Sequence, residues 1–227
     1  MPSLTVENYL KAILQIQLRH LSERVSPGVL AGRMGVSPGS VTSMLKTLSD
    51  SGLADYFPYD GVELTDAGRH LAMRVLRRHR LIELFLIDTL QMTWDQVHDE
   101  AEALEHAVSD ELIDRIDAYL DHPDTDPHGA PIPAADGQLR RSSSTISLNM
   151  CHVGEMVRFV QVVTQEPGFL RYLSDSGFEL GAIGEIIEMD EDSGTLKASI
   201  NGLQCAMGIG AAATIRVERV SSVYPKA

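Results

Sequence analysis

The sequence predicts a mainly α protein with a small β portion: an N-terminal winged helix-turn-helix, a helical middle segment and a C-terminal small β-barrel. Three observations predict it. Two short helical stretches meet at a glycine and are followed by a hairpin signal. Ligand-type residues then recur at helical spacing, ending in the run His98-Asp-Glu-Ala-Glu102-Ala-Leu-Glu105-His106. Beyond Asn149 the pattern changes to short apolar runs separated by Gly and Asp. The expected domains are residues 1–70, 71–141 and 149–227, the second including a Pro-rich crossing.

From Leu4 to about Leu21, Val6, Tyr9, Leu10, Ile13, Leu14 and Ile16 follow helical periodicity. Ser26-Pro27 reads as a cap followed by proline in the first turn, and Gly35 stops that helix after Met34. Ser37-Pro38 repeats the start signal, and the next helix buries Val41, Met44, Leu45 and Leu48. Its small polar residues Ser40, Thr42, Ser43 and Lys46 are left outside, a surface suited to a DNA major groove. Asp60-Gly61, between aromatic and β-branched stretches, reads as the turn of a hairpin, the wing. A small helical domain with a hairpin and no DNA partner also fits.

Thr65 is expected to cap a long helix through Leu71, Val75, Leu76, Leu81 and Ile82 to about Leu90. Thr93 is expected to cap the helix carrying the His98–His106 run, and Ser109-Asp110-Glu111 to start another that reaches Leu120. The segment from Asp121 to Pro133 has four prolines and no helical period, and residues 140–144 look like flexible chain. Strands are expected at Met156–Val163, Gly184–Met189, Thr195–Ile200 and Thr214–Val220, with a short helix at Pro167–Ser174.

The chain has 227 residues, 44% of them apolar and 22% charged, in the range of an ordinary globular protein. Two cysteines, Cys151 and Cys205, argue against a disulfide scaffold or a structural zinc site. The N-terminus has no basic run ahead of an apolar core, and charges interrupt every apolar stretch, so a soluble cytoplasmic protein is expected. A net charge of −13 would ordinarily argue against a nucleic-acid partner, but its distribution is uneven. Residues 1–50 carry five Lys/Arg against three acids, whereas residues 84–126 carry thirteen acids and one base. That fits a DNA-facing end joined to a cation-binding centre, or simply two unlike surfaces.

His98, Glu102 and His106 are spaced by four, Glu102 and Glu105 by three, and His79 and Glu83 by four. Such spacings put side chains on one helix face. Imidazoles and carboxylates on facing helices suit one or two borderline divalent cations, and solvated acids with ordinary histidines remain the bland alternative. A helical di-iron carboxylate enzyme would want Glu-x-x-His motifs, and none occurs. No His-Glu-x-x-His, nucleophile elbow or glycine-rich phosphate loop is present, so neither a hydrolase nor an organic cofactor is expected. A metal sensor or storage module without DNA binding stays open.

The order of elements, with "RRHRLIELFL", "VHDEAEALEHAVSDEL" and "DPHGAPIP", resembles the diphtheria toxin repressor family, whose members are metal-activated transcriptional regulators of iron or manganese homeostasis. The resemblance covers nearly the whole chain. It implies a cytoplasmic homodimeric DNA-binding transcriptional regulator, whether repressor or activator, and not an enzyme, with a helical metal-binding and dimerisation domain and an SH3-like barrel. It further implies a primary effector-metal site at Asn8, Glu102, Glu105 and His106, and an ancillary site at His79, Glu83 and His98. In three-domain members the barrel contributes to the ancillary site, and Gln165 and Glu166 are the nearest candidates here.

Iron-responsive members have a cysteine where this chain has Glu102 and a methionine where it has Asn8. Oxygen ligands suit Mn²⁺ better than sulfur does, so manganese is expected first and Fe²⁺ second. The manganese branch usually has aspartate at the Asn8 position and a second carboxylate one turn later, where Lys11 stands. An ammonium there would repel a close second cation. Ser37, Ser40, Thr42, Ser43 and Lys46 are the DNA-contact candidates, on a near-palindromic double-stranded operator. Trp94, Val97, Leu104 and Val108 are candidates for dimer packing or ordinary core.

Overall fold

Ser26 and Ser37 start consecutive helices by the same device. Each side chain accepts a hydrogen bond from a backbone N–H of the first turn, from Val29 and Ser40 respectively, and each is followed by proline. The structure is a computed structural model that describes residues 3–20, 24–139 and 144–220. The expected end of the first helix at Leu21 and the flexible stretch at residues 140–143 lie outside the described residues. The chain forms two compact units, residues 1–79 with 104–109 and 133–139, and residues 80–103 with 110–132 and 140–227.

In the first unit, α1 (Leu4–His20), α2 (Pro27–Met34) and α3 (Pro38–Asp50) surround a core of Leu10, Ile13, Leu14, Leu30, Val41, Leu45 and Leu48. Gly35 ends α2 in the left-handed conformation at φ 65°, as a C-terminal glycine should. Strands β1 (Ala54–Phe57) and β2 (Gly61–Leu64) pair antiparallel, from Ala54 opposite Leu64 to Phe57 opposite Gly61. The hairpin exists, but its turn is Pro58–Asp60 and not the expected Asp60-Gly61. Gly61 serves another purpose: Val25 and Val62 exchange two backbone hydrogen bonds of 2.9 Å, and a Cβ on Gly61 would sit 2.8 Å from the Val25 carbonyl oxygen. Thr65 caps α4 (Asp66–Leu90), its hydroxyl accepting from Gly68 N–H.

In the second unit, α5 (Val97–Leu104) begins four residues after Thr93. Thr93 closes the preceding turn instead, its carbonyl accepting from Gln96 N–H. α5 stops at Leu104, so the His98–His106 run is not one helical strip: Glu105 and His106 lie in the turn before α6 (Asp110–Tyr119). After a short β3 (Ile146–Ser147) come β4 (Met156–Val162), α7 (Pro167–Asp175), β5 (Ile183–Asp190), β6 (Thr195–Ile200), β7 (Leu203–Gly208), α8 (Ile209–Ala212) and β8 (Ile215–Arg219). The strands form an antiparallel sheet in the order β3-β8-β4-β5-β6-β7, the small SH3-like domain expected. Its core is Val157, Phe159, Leu170, Leu173, Ile186, Leu196 and Val217.

The Pro-rich crossing runs along β4. Val162 N–H donates to His128 O at 2.8 Å, and Gly129 approaches so closely that a Cβ would meet Val160 O at 2.0 Å. Trp94 stands beside both the His128 and Phe178 rings, and Val97 is fully buried. These two dimer candidates therefore belong to the subunit core, while Leu104 remains 39% exposed. No helix among the described residues is long and apolar enough to cross a membrane.

Candidate metal centre

One turn of α1 presents Glu7, Asn8 and Lys11, and the turn after α5 presents Glu105 and His106 to it. His106 Nδ1 lies 2.6 Å from Glu7 Oε2, while Nε2 lies 2.7 Å from Asn8 Oδ1 and 3.2 Å from Glu105 Oε1. A ring that gives an Nδ1 proton to Glu7 would present the Nε2 lone pair to the side where the two oxygens lie. One nitrogen and two oxygens thus converge on one point, where a single cation can meet all three. One imidazole and two oxygens are donors that suit a divalent metal of the manganese or iron type. Glu7 holds the ring from behind through its contact with Nδ1.

Glu105 is completely buried, and it is held from two further sides: Lys11 Nζ donates to Oε1 at 2.6 Å and His79 Nδ1 lies 2.6 Å from Oε2. Burial pushes its carboxyl pKa up, but His79 and Lys11 together outweigh that and hold it below the usual carboxylate range. Arg78 donates to the Glu105 carbonyl at 3.4 Å, anchoring the same turn.

The second unit holds a separate group. His98 Nδ1 lies 3.3 Å from Glu83 Oε1, and its Nε2 lies 3.6 Å from Glu102 Oε1. Glu83, Asp126 and His128 are all buried, each with a ligand atom within 4.8 Å of the others. His128 Nδ1, 3.9 Å from Glu83 Oε2, has no hydrogen-bond partner among the described residues. Asp126 accepts from His128 N–H and Ala130 N–H at 2.9 Å each, and pairs with Arg80 at 3.4 Å. Burial raises the Asp126 pKa against the pull of Arg80, and Glu83 raises it further. Two buried carboxylates beside an orphaned imidazole nitrogen again fit a cation.

Of the sequence-predicted ligands, Asn8, Glu105 and His106 come together directly. Glu83 and His98 do so in the second unit, where Glu102 stands beside His98. His79 precedes Glu83 by one turn of α4, and its Nδ1 faces Glu105. Gln165 is half-buried ahead of α7, and the Glu166 carboxylate caps that helix, accepting from Gly168 and Phe169 N–H at 3.1 and 2.6 Å. Glu7, Asp126 and His128 were missed by sequence reasoning. The Asp-Pro-His spelling inside the crossing was the available signal for the last two.

On α3, Ser40, Ser43 and Lys46 are exposed at intervals of three. Ser37 is exposed but its hydroxyl caps the helix, and half-buried Thr42 donates to Pro38 O at 3.0 Å. Ser40, Ser43 and Lys46 thus form the outward stripe, with Lys46 the only cation on the helix.

Residues 1–62 match the iron dependent repressor N-terminal DNA binding domain, residues 65–134 the iron dependent repressor metal binding and dimerisation domain, and residues 146–219 the FeoA domain. The diphtheria toxin repressor of Corynebacterium efficiens is 30% identical over 232 residues, covering 96% of this chain and 97% of its own. A manganese-dependent transcriptional repressor in complex with manganese superposes with a TM-score of 0.87 at 38% identity, covering 95% of this chain and 100% of that one. ScaR with bound Zn²⁺ superposes with a TM-score of 0.78 at 32% identity, covering 96% and 100%.

Proposed function

Because the chain belongs to the iron-dependent repressor family of the diphtheria toxin repressor, and is thus a metal-dependent DNA-binding transcriptional repressor and not an enzyme, we propose that Mn²⁺ is its effector, with Fe²⁺ the alternative. Asn8, Glu102, Glu105 and His106 are the primary ligands. Glu7 orients the His106 ring. The observation that carries this reading is His106 Nε2 facing Asn8 Oδ1 at 2.7 Å and Glu105 Oε1 at 3.2 Å, three donor atoms turned toward one point. A divalent cation there would meet these three atoms together, beside the Lys11 ammonium that already pairs with Glu105. Oxygen donors at positions 8 and 102, and the manganese in a similar solved structure, support Mn²⁺ over softer metals.

The ancillary group is His79, Glu83 and His98, joined by Asp126 and His128. Glu166 would have to leave the N-terminus of α7 to serve there, and Gln165 is the freer of the two barrel candidates.

Asn8 sits on α1, the first helix of the DNA-binding core, so coordination through it orders that helix. Only a difference in metal affinity between two conformations shifts their balance. In the favoured one, the α3 stripes of a homodimer meet successive major-groove faces of a near-palindromic operator. A DNA target implies a cytoplasmic location. The test is binding to the protein's own upstream DNA with Mn²⁺, Fe²⁺, Zn²⁺ or chelator, for wild type and Glu102→Ala. We expect Mn²⁺-stimulated binding that the substitution weakens. Metal-independent binding, or an unaffected variant, would overturn the reading.

A further inference from the structure

Tyr59, in the turn between β1 and β2, is fully exposed, and its backbone has φ 70°. Asp60 N–H donates to Phe57 O at 3.1 Å, which makes Phe57–Asp60 a four-residue turn with Pro58 second and Tyr59 third. Proline fixes a negative φ in the second place, so a positive φ in the third defines a type II turn, where glycine or asparagine belongs. The neighbouring Gly61 does not relieve this turn, because it lies under the Val25 carbonyl. The ring therefore occupies a strained position and gains nothing from burial. Stability does not account for it.

The rest of the hairpin is held firmly. Arg24 pairs with Asp60, lies 3.8 Å from Glu63 and stacks 4.1 Å above the Phe57 ring. Its charge is thereby matched, and residues 54–64 carry three acids, Asp55, Asp60 and Glu63, with no Lys or Arg. The hairpin cannot attract phosphate by charge. What it does offer, on a strand packed against α3, is a neutral donor at its tip.

We propose that Tyr59 is a DNA-contact residue of the wing, its phenol hydroxyl donating to a backbone phosphate beside the groove that α3 enters. This rests on the repressor reading above. The contact positions the protein and carries no base sequence information. Being uncharged, it releases no counterion, so it adds affinity without steepening the salt dependence.

The experiment uses the full-length Mn²⁺-loaded protein and its own upstream DNA, comparing wild type, Tyr59→Asn and Tyr59→Phe by fluorescence anisotropy at several salt concentrations, with thermal unfolding alongside. Asparagine tolerates the left-handed conformation, so Tyr59→Asn should unfold at the same temperature as wild type or higher. Both variants should bind DNA about 5- to 10-fold more weakly, with an unchanged salt slope. Wild-type binding matched by Tyr59→Asn would overturn this inference alone. Weak binding by Tyr59→Asn with normal binding by Tyr59→Phe would overturn the phosphate contact. If wild type itself fails to bind DNA with metal present, the repressor reading falls, and this inference with it.

Discussion

Lys11 Nζ lies 2.6 Å from Glu105 Oε1 with the lysine 5% exposed and the glutamate fully buried. The pair ties α1 to the turn after α5, the same two segments that Asn8 and His106 bring together. An ammonium is thus built in where a second cation would otherwise neutralise Glu105. Removing one partner of a buried ion pair typically costs about 3–5 kcal/mol, because the other charge stays buried. His79 remains on the far oxygen of Glu105, so Lys11→Met should fall at about 3 kcal/mol in urea unfolding of the metal-free protein. Mn²⁺ should restore more stability to this variant than to wild type. Equal unfolding of the two metal-free proteins would contradict the account.

The role of Lys11 can also be read from the metal. Lys11→Glu replaces the ammonium with a carboxylate facing the same space, and a second Mn²⁺ should enter. Electron paramagnetic resonance should then show an exchange-coupled manganese pair in the variant and only uncoupled manganese in wild type. A coupled pair in wild type would mean that Lys11 swings away when metal binds.

Glu7 makes a prediction separate from the ligands. Its carboxylate lies 2.6 Å from His106 Nδ1, and partners of that kind typically contribute about 10–100-fold in metal affinity. Calorimetric titration of Glu7→Gln with Mn²⁺ should show a loss in that range while circular dichroism stays that of wild type. An unchanged affinity would reduce Glu7 to a bystander.

These residues also show what a sequence can carry. The Ser-Pro starts of α2 and α3, the glycine that ends α2 and the alternation in β6 are local signals, and each element appears where its signal stands. The hairpin turn was misplaced because Asp-Gly is a strong turn signal, while Gly61 answers to Val25, some 36 residues away in sequence. His98–His106 has helical spacing throughout, yet α5 ends at Leu104 and sends Glu105 and His106 toward α1. Glu7 was invisible as a site residue, and Asp126 and His128 were marked only by the Asp-Pro-His spelling of the crossing. Their partners are distant in sequence, and neither composition nor periodicity reports such pairings.

The buried group of Glu83, Asp126 and His128 gives a prediction that does not touch the primary ligands. His128→Ala removes the imidazole whose Nδ1 lacks a hydrogen bond. In a Mn²⁺ titration the variant should lose one binding step, while the step weakened by Asn8→Ala should persist. Two intact steps in His128→Ala would remove this group from the ancillary site.

Asp95 links the helical part of the second unit to the small barrel. Arg171, on α7, donates to it at 2.7 Å and the Thr93 hydroxyl at 2.8 Å. The Arg171 hydrogen bond above all, and then that of Thr93, holds the Asp95 carboxyl below its ordinary value. A group whose pKa is lower in the folded than in the unfolded chain stabilises the fold above the unfolded value, near pH 4. That contribution fades as the pH falls through the folded value. The thermal midpoint of wild type should therefore exceed that of Asp95→Asn by a constant margin at neutral pH. Arg171 is more than half exposed, so solvent screens the pair and the margin should be only about 2 °C. It should close as the pH is lowered below 4. A margin that persists or widens in acid would assign the effect to packing of the Asp95 side chain and not to its charge.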